Sequence, residues 1–244
     1  MKIGVFSDVH GNLEALETAI AFMRAEGVTE YLCLGDIVGY GANPEECISL
    51  IRGLSATVVA GNHDYGAVGK TPIQSFNEAA RKVLLWTQER LSAQSQTYLE
   101  SLPVVVVQHS FRLVHASPSA PYDWEYIQAW GDIKYELSVF SDPVCLVGHS
   151  HLPFAAKKHQ SRPEPQRIQE PEFSLANHAT KFLINVGSVG QPRDGDPRLC
   201  VLIYDSKLNR MKLYRLDYDI DGAQRKILAA GLPEILAYRL SQGR

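Results

Sequence analysis

Long hydrophobic runs are missing from this 244-residue chain. The opening run Met1 to Phe6 passes straight into Asp8, too short for a signal-peptide core or a membrane span, and no later segment approaches spanning length. An excess of basic charge is missing too. Lys and Arg number 24 against 27 Asp and Glu, a formal net charge of −3, so no overall field draws the chain onto nucleic acid or a membrane surface. A phosphate-bearing partner would need local cations, which metal ions can supply. Cysteine is scarce: Cys33, Cys47, Cys145 and Cys200 form no CxxC pair, and three of them lie in apolar runs where the thiol acts as a small buried hydrophobe. All four read as reduced thiols of a cytoplasmic protein. There is no internal repeat. With 45% apolar and 21% charged residues the chain is neither disordered, collagenous nor coiled-coil.

What is present is a series of short apolar runs, at residues 3 to 6, 31 to 34, 57 to 60, 104 to 107, 112 to 114, 144 to 147, 182 to 186, 199 to 204 and 211 to 216, which read as strands. Between the first two, Leu13, Leu16, Ile20 and Met23 recur at helical spacing, and the segment stops at Gly27, so the front of the chain is a βαβ unit. Asn43 followed by Pro44, Glu45 and Glu46 opens a second crossover helix. Residues 75 to 100 are expected to be helical, with Phe76, Ala80, Val83, Leu84 and Leu91 on the apolar face. Residues 157 to 172, with three prolines and many charges, read as a surface hairpin or loop. The alternation predicts an α/β domain with one large sheet or paired sheets under helices. One domain over 1–244 is expected, with a helical tail from about 219 to 244, broken at Gly231-Leu232-Pro233, packed on it.

Chemistry-bearing residues follow the strands. Asp8 and His10 come after the first, Asp36 after the second, Asn62, His63 and Asp64 after the third, His115 after run 112 to 114, and His149 and His151 after run 144 to 147. In open α/β sheets ligands bind at the carboxyl ends of strands, so these side chains should converge. Asp8, His10, Asp36, Asn62, His115, His149 and His151 are seven oxygen and nitrogen ligands, too many for one ion and about right for two. If Asp36 bridges, one ion takes Asp8, His10, Asp36 and His151, and the other Asp36, Asn62, His115 and His149. Two ions roughly 3.5–4 Å apart can share an acidified hydroxide and clamp the oxygens of an in-line phosphoryl displacement.

The ordered blocks Asp8-Val9-His10-Gly11-Asn12, Gly35-Asp36, Gly61-Asn62-His63-Asp64 and Gly148-His149-Ser150-His151, with His115 alone before the last, resemble the calcineurin-like metallophosphoesterase superfamily. The stretch Asn185 to Arg193 and the Gly231-Leu232-Pro233 tail resemble its small prokaryotic, phosphodiesterase-type members. The resemblance implies a four-layer αββα sandwich and a dinuclear site held by the seven residues. Two divalent ions are implied, Mn first, with Fe, Zn, Co or Ni admitted by the mixed donor set. His63 matches the residue that contacts a phosphate oxygen or protonates the leaving group, with Asp64 orienting it. A histidine beside cations and an oxyanion suits general acid catalysis near neutral pH.

Where protein phosphatases of the superfamily carry Gly-Asp-x-Val-Asp-Arg-Gly, this chain has Gly35-Asp36-Ile37-Val38-Gly39-Tyr40-Gly41, without the phosphate-gripping Arg. That argues against a protein or dinucleotide polyphosphate phosphatase and toward diesters. Ala116 also stands where Gly is common after the isolated His. Asn62 and Arg193 are candidate substrate contacts. The expected activity is hydrolysis of a small phosphodiester or phosphomonoester by attack of the bridging hydroxide, with neither membrane nor nucleic-acid partner. The alternative is a non-catalytic metal-binding scaffold on the same fold, and a nuclease is disfavoured by the charge. Tyr40, Asn43, Tyr122, Trp124 and Tyr126 are expected in loops roofing the site, whereas His109, His159 and His178 read as solvated.

Overall fold

Strand β1 (Lys2–Phe6), helix α1 (Leu13–Ala25) and strand β2 (Glu30–Cys33) form the expected βαβ unit, β2 parallel to β1 with Ile3 opposite Glu30 and Phe6 opposite Cys33. The computed structural model describes residues 1–175 and 179–244, so His178 lies outside the described residues. Helix α1 buries Leu16, Ile20 and Met23 on one face, Asn12 caps it by accepting the Ala15 N–H at 3.2 Å, and Glu14 and Arg24 sit at the ends its dipole favours. Helix α2 (Pro44–Gly53) leads to β3 (Thr57–Val58), parallel to β2. The apolar run to residue 60 leaves the ladder early because the Ala60 N–H donates to the Pro103 carbonyl at 2.7 Å.

Helices α3 (Asn62–Ala67), α4 (Glu78–Gln88) and α5 (Ala93–Ser101) follow. The stretch 75 to 100 is therefore two helices rather than one. Ser92 starts α5 afresh by accepting the Ser95 N–H, and Glu45 of α2 holds that break by accepting the Ser92 N–H and the Ser95 hydroxyl. Strands β4 (Val105–Gln108) and β5 (Phe111–Val114), helix α6 (Trp130–Val139), and strands β6 (Val144–Val147), β7 (Phe154–His159), β8 (Gln166–Ile168), β9 (Glu172–Ser174), β10 (Thr180–Asn185), β11 (Leu199–Asp205) and β12 (Arg210–Leu216) complete the sheets. The charged stretch 157 to 172 turns between β7 and β8 as an antiparallel hairpin. Helices α7 (Ile220–Ala229) and α8 (Glu234–Tyr238) form the tail, broken at Gly231-Leu232-Pro233 as expected.

The strands make two six-stranded sheets, ordered β3-β2-β1-β11-β12-β9 and β4-β5-β6-β10-β7-β8. The period-2 alternation of strands assigns their faces. Ile3, Val5, Leu32, Leu113, Val144, Leu146 and Ile184 meet in one core between the sheets. Phe6, Cys33 and Val201 face the other way, under α1 and α2. Cys145, Val147 and Leu183 pack with Ile133 and Leu137 of α6 on the far side. The result is the four-layer helix–sheet–sheet–helix sandwich. All four cysteines are free and buried. No helix among the described residues is long and apolar enough to cross a membrane.

Candidate metal centre

Strands β1, β2 and β3 run parallel in one sheet, and β5, β6 and β10 in the other, so their carboxyl ends lie on one edge of the sandwich. Asp8 and His10 leave β1, Asp36 leaves β2, Asn62 and His63 begin α3, His115 leaves β5, and His149 and His151 leave β6. The segment after β10 stitches the two sheets together here. The Ser188 hydroxyl and Gly190 N–H both donate to the Asp8 carbonyl, at 2.9 and 2.8 Å, and Asn185 donates to the Gly148 carbonyl at 2.6 Å.

All seven expected ligands are buried, and Asp8, His10, Asp36, His115, His149 and His151 converge. Ligand atoms of Asp8, His10 and His151 lie within 4.8 Å of one another, and so do those of Asp36, His115 and His149; His63 comes as close to His10 and Asp36. Asp36 stands between the two groups: its Oδ2 is 3.2 Å from His115 Nε2 and 3.6 Å from His10 Nε2, while its Oδ1 accepts the His63 main-chain N–H at 2.8 Å. Close approach forbids a Cβ at two neighbouring positions. At Gly61 it would collide with the Asp36 carboxylate, and at Gly148 it would come to 2.6 Å from Asp8 Oδ2.

Ring orientation is fixed from behind. His10 Nδ1 donates to the Val38 carbonyl, His115 Nδ1 to the Leu34 carbonyl, His151 Nδ1 to the Gln191 carbonyl and His149 Nε2 to the Trp124 carbonyl. A carbonyl only accepts, so each ring carries a proton on its outer nitrogen and turns the other nitrogen inward, as metal-ligating histidines are held. His10 Nε2 and His151 Nε2 consequently point at each other across 3.1 Å. Two facing lone pairs repel unless a cation lies between them. Among the described residues Asp8 Oδ1 and Asn62 Oδ1 are buried with no hydrogen-bond partner, which is costly for a polar atom without a ligand. Asp8, His10, Asp36, His149 and His151 all adopt left-handed backbone, with φ between +50° and +64°. Such conformations cost of order 1–3 kcal/mol each and gather at functional sites. This donor set fits bound divalent cations.

The electrostatics follow from burial. Burial opposes ionisation of Asp8, but His151 and His115 outweigh it and hold the carboxyl well below its ordinary range; at Asp36, His115 and His63 do the same. Burial opposes charge on His115 as well, yet Asp36 lifts it to about 9. Burial pushes His63 down to about 4 and His149 to about 3, and lowers His10 and His151.

Beside the cluster lies a cavity of about 320 Å³, lined by Asn62, His63 and His149 and walled by the aromatic rings of Tyr40, Phe76, Trp124 and Tyr126. Tyr126 stacks on His149 with ring centres 4.0 Å apart. Tyr122 lines an adjoining hollow with Trp124, and Asn43 stands away from the site, bonded to Glu46 at the start of α2. His109 pairs with Glu30 and His159 with Ser161, both outside the cluster. One expected role fails. Asp64 does not orient His63, because both of its oxygens are taken by main-chain N–H groups of Ile37, Val38 and Gly61, and His63 Nδ1 has no partner among the described residues. Asp64 is instead the tie that fixes the β2 and β3 loops to each other. Arg193 lies over Tyr40 and donates to Gln191 Oε1.

The ring-holding roles of Gln191 and Trp124 escaped sequence reasoning because they act through main-chain carbonyls, which any residue type supplies; Trp124 is expected from the sequence only as an aromatic in a loop roofing the site. Arg239, which also lies over Tyr40, is marked in the sequence only by its place in the tail after Gly231-Leu232-Pro233.

Comparison with known proteins agrees with this geometry. Residues 1–207 match the model of the calcineurin-like phosphoesterase superfamily domain. The uncharacterized protein MJ0912 of Methanocaldococcus jannaschii is 39% identical over 246 residues, covering 99% of this chain and 98% of that one. The crystal structure of a metallophosphoesterase from Sphaerobacter thermophilus superposes with a TM-score of 0.86 at 38% identity, covering 100% of this chain and 99% of that one. The hypothetical protein PH1004 of Pyrococcus horikoshii shares the fold at 22% identity, with a TM-score of 0.81, covering 100% of this chain and 98% of that chain. Sheet order, converging ligands and relatives together place this chain in the calcineurin-like phosphoesterase superfamily.

Proposed function

We propose that the protein is a dinuclear metal-dependent phosphoesterase that hydrolyses a small phosphodiester, with phosphomonoesters as weaker substrates. The observation that carries this reading is the inward-facing pair His10 Nε2 and His151 Nε2, 3.1 Å apart, beside the orphaned oxygens of Asp8 and Asn62. One ion would be held by Asp8, His10, Asp36 and His151 and the other by Asp36, Asn62, His115 and His149, with Asp36 shared. When bound, such a pair supplies an acidified water and neutralises charge on the phosphoryl oxygens. Manganese is the first choice of metal.

The chain's own residues do the rest. Asn62, His63 and His149 line the cavity beside the cluster, so a phosphate held at the ions would lie against His63, which is 3% exposed. Burial makes His63 a neutral imidazole, and a phosphate anion beside it raises its pKa again, so that it carries the proton the leaving oxygen needs. The preference for a diester rests on Gly39-Tyr40-Gly41 standing where an Arg would grip a monoester dianion.

The test is Mn²⁺-dependent hydrolysis of bis-p-nitrophenyl phosphate beside p-nitrophenyl phosphate. The diester should turn over faster, and Asp36→Asn should lose at least about a hundredfold, the scale on which even outer-shell ligand support matters. Full activity in Asp36→Asn would overturn the shared-ligand assignment, and a faster monoester would reverse the diester preference.

A further inference from the structure

Two guanidinium groups share the Tyr40 ring. The Arg193 guanidinium carbon is 5.6 Å from the ring centre and that of Arg239, in the turn after α8, is 5.9 Å from it. Arg198, Arg210, Arg215 and Arg225 each have an acid within 4.0 Å. Among the described residues neither Arg193 nor Arg239 has a side-chain carboxylate at that range. Arg193 donates from Nε and Nη2 to the neutral Gln191 Oε1, and Arg239 Nε donates to the main-chain oxygen of Arg244. Both are partly buried. Half-buried like charges on one ring repel each other; the main-chain oxygen of Arg244, the last residue of the sequence, faces Arg239, and an anion shared by both guanidinium groups would relieve the repulsion.

Tyr40 connects this pair to the metal centre. Its ring centre is 4.6 Å from those of both His10 and His63, and the ring walls the cavity. Its position is enforced: Tyr40 itself sits in left-handed backbone at φ +56°, and a Cβ at Gly39 would run into the His63 ring. The two cations thus stand one aromatic ring away from the histidines of the site.

We propose that Arg193 and Arg239 form a subsite for a second, terminal phosphate of the substrate, so that the preferred substrate carries two phosphates, one hydrolysed at the metal centre and one held by this pair. The proposal rests on the phosphoesterase reading above. A terminal phosphate carries about −1.5 to −2 charges at pH 7, which two guanidinium forks match and a carboxylate does not. The organic part of such a substrate runs along the Tyr40 ring, which touches both the arginine pair and the histidines of the metal centre.

Calorimetric titration of the Mn²⁺-loaded protein with thymidine 3′,5′-bisphosphate and thymidine 5′-monophosphate tests this. The bisphosphate should bind at least about tenfold tighter, the scale of one charge-assisted hydrogen bond. Arg239→Gln and Arg193→Gln should each lose that advantage, Arg239→Lys should keep part of it, and Arg225→Gln, an equal charge change at an exposed ion pair, should keep it all. With the 5′-p-nitrophenyl esters of the same two compounds as substrates, the advantage should lie in KM more than in kcat. Equal binding of the two nucleotides by the wild-type protein, or an equal loss in Arg225→Gln, would overturn the subsite. Turnover of both esters without a bisphosphate advantage would also overturn it and leave the hydrolase reading standing. An arginine-dependent advantage in binding with no ester turned over would uphold the subsite and sink the hydrolase reading instead.

Discussion

His63 and His115 carry opposite consequences of being buried beside Asp36. His63 belongs to neither expected ligand set, its Nδ1 has no partner among the described residues, and its ring opens on the cavity. In His63→Gln the Mn²⁺ affinity should therefore stay within a few fold while kcat for the diester falls about 10²–10⁴-fold, the ordinary worth of a positioned general acid. Equal loss of metal binding would make His63 a ligand rather than an acid. For His115 the Asp36 charge overcomes burial and holds a proton up to about 9. Any divalent ion that binds through His115 must displace that proton, so affinity should rise about tenfold per pH unit between pH 7 and 8 and level off near 9. Titration in buffers of different ionisation enthalpy measures the released proton directly, and His115→Gln should abolish that release.

Between the strands, the loops decide whether these side chains meet. Gly61 is where the β3 loop passes against the Asp36 carboxylate, with no room for a Cβ. Gly61→Ala should leave the far-ultraviolet circular dichroism unchanged yet weaken Mn²⁺ binding about 10–100-fold, since it moves a ligand without removing one. The strand-end placement of the ligands was legible because each follows an apolar run within a few residues, and α1 was legible from its one-sided stripe. The break between α4 and α5 was not, because it is held by Glu45 of α2, which is distant in sequence. Helix α6 also escaped notice: it buries only Ile133, Glu136 and Leu137, too sparse a stripe to mark a face. The role of Asp64 was misread for a related reason. The resemblance implied that it orients His63, whereas the fold offers it three main-chain N–H groups from two loops.

At the scale of the whole molecule, two sheets and a helical tail are tied to one buried cluster of titratable groups. Helices α7 and α8 and the break between them pack Ile227, Leu236 and Leu232 against Val83 of α4 and against Tyr40, so the helical tail reaches the wall of the site. The two-sheet arrangement was only half legible, as periodicity shows which residues of a strand share a face but not which sheet receives it. Global stability should register the cluster through pH. His63 and His149 are depressed to about 4 and about 3 in the folded chain, so below pH 6.5 the unfolded chain binds protons that the folded one refuses, and stability falls as pH drops. His115, raised to about 9, does the reverse: its contribution is complete below pH 6.5 and disappears as pH rises toward 9. Urea unfolding of chelator-treated protein should therefore show a stability maximum near pH 6.5. His63→Gln should flatten the acid side by on the order of 3 kcal/mol, and His115→Gln the alkaline side by a similar amount. Mn²⁺ at a hundred times its Kd should add about 2.7 kcal/mol at fixed pH. Because the ion competes with the His115 proton, the maximum should then move to higher pH, and a maximum that stays in place on adding Mn²⁺ would mean that the ion does not bind through His115.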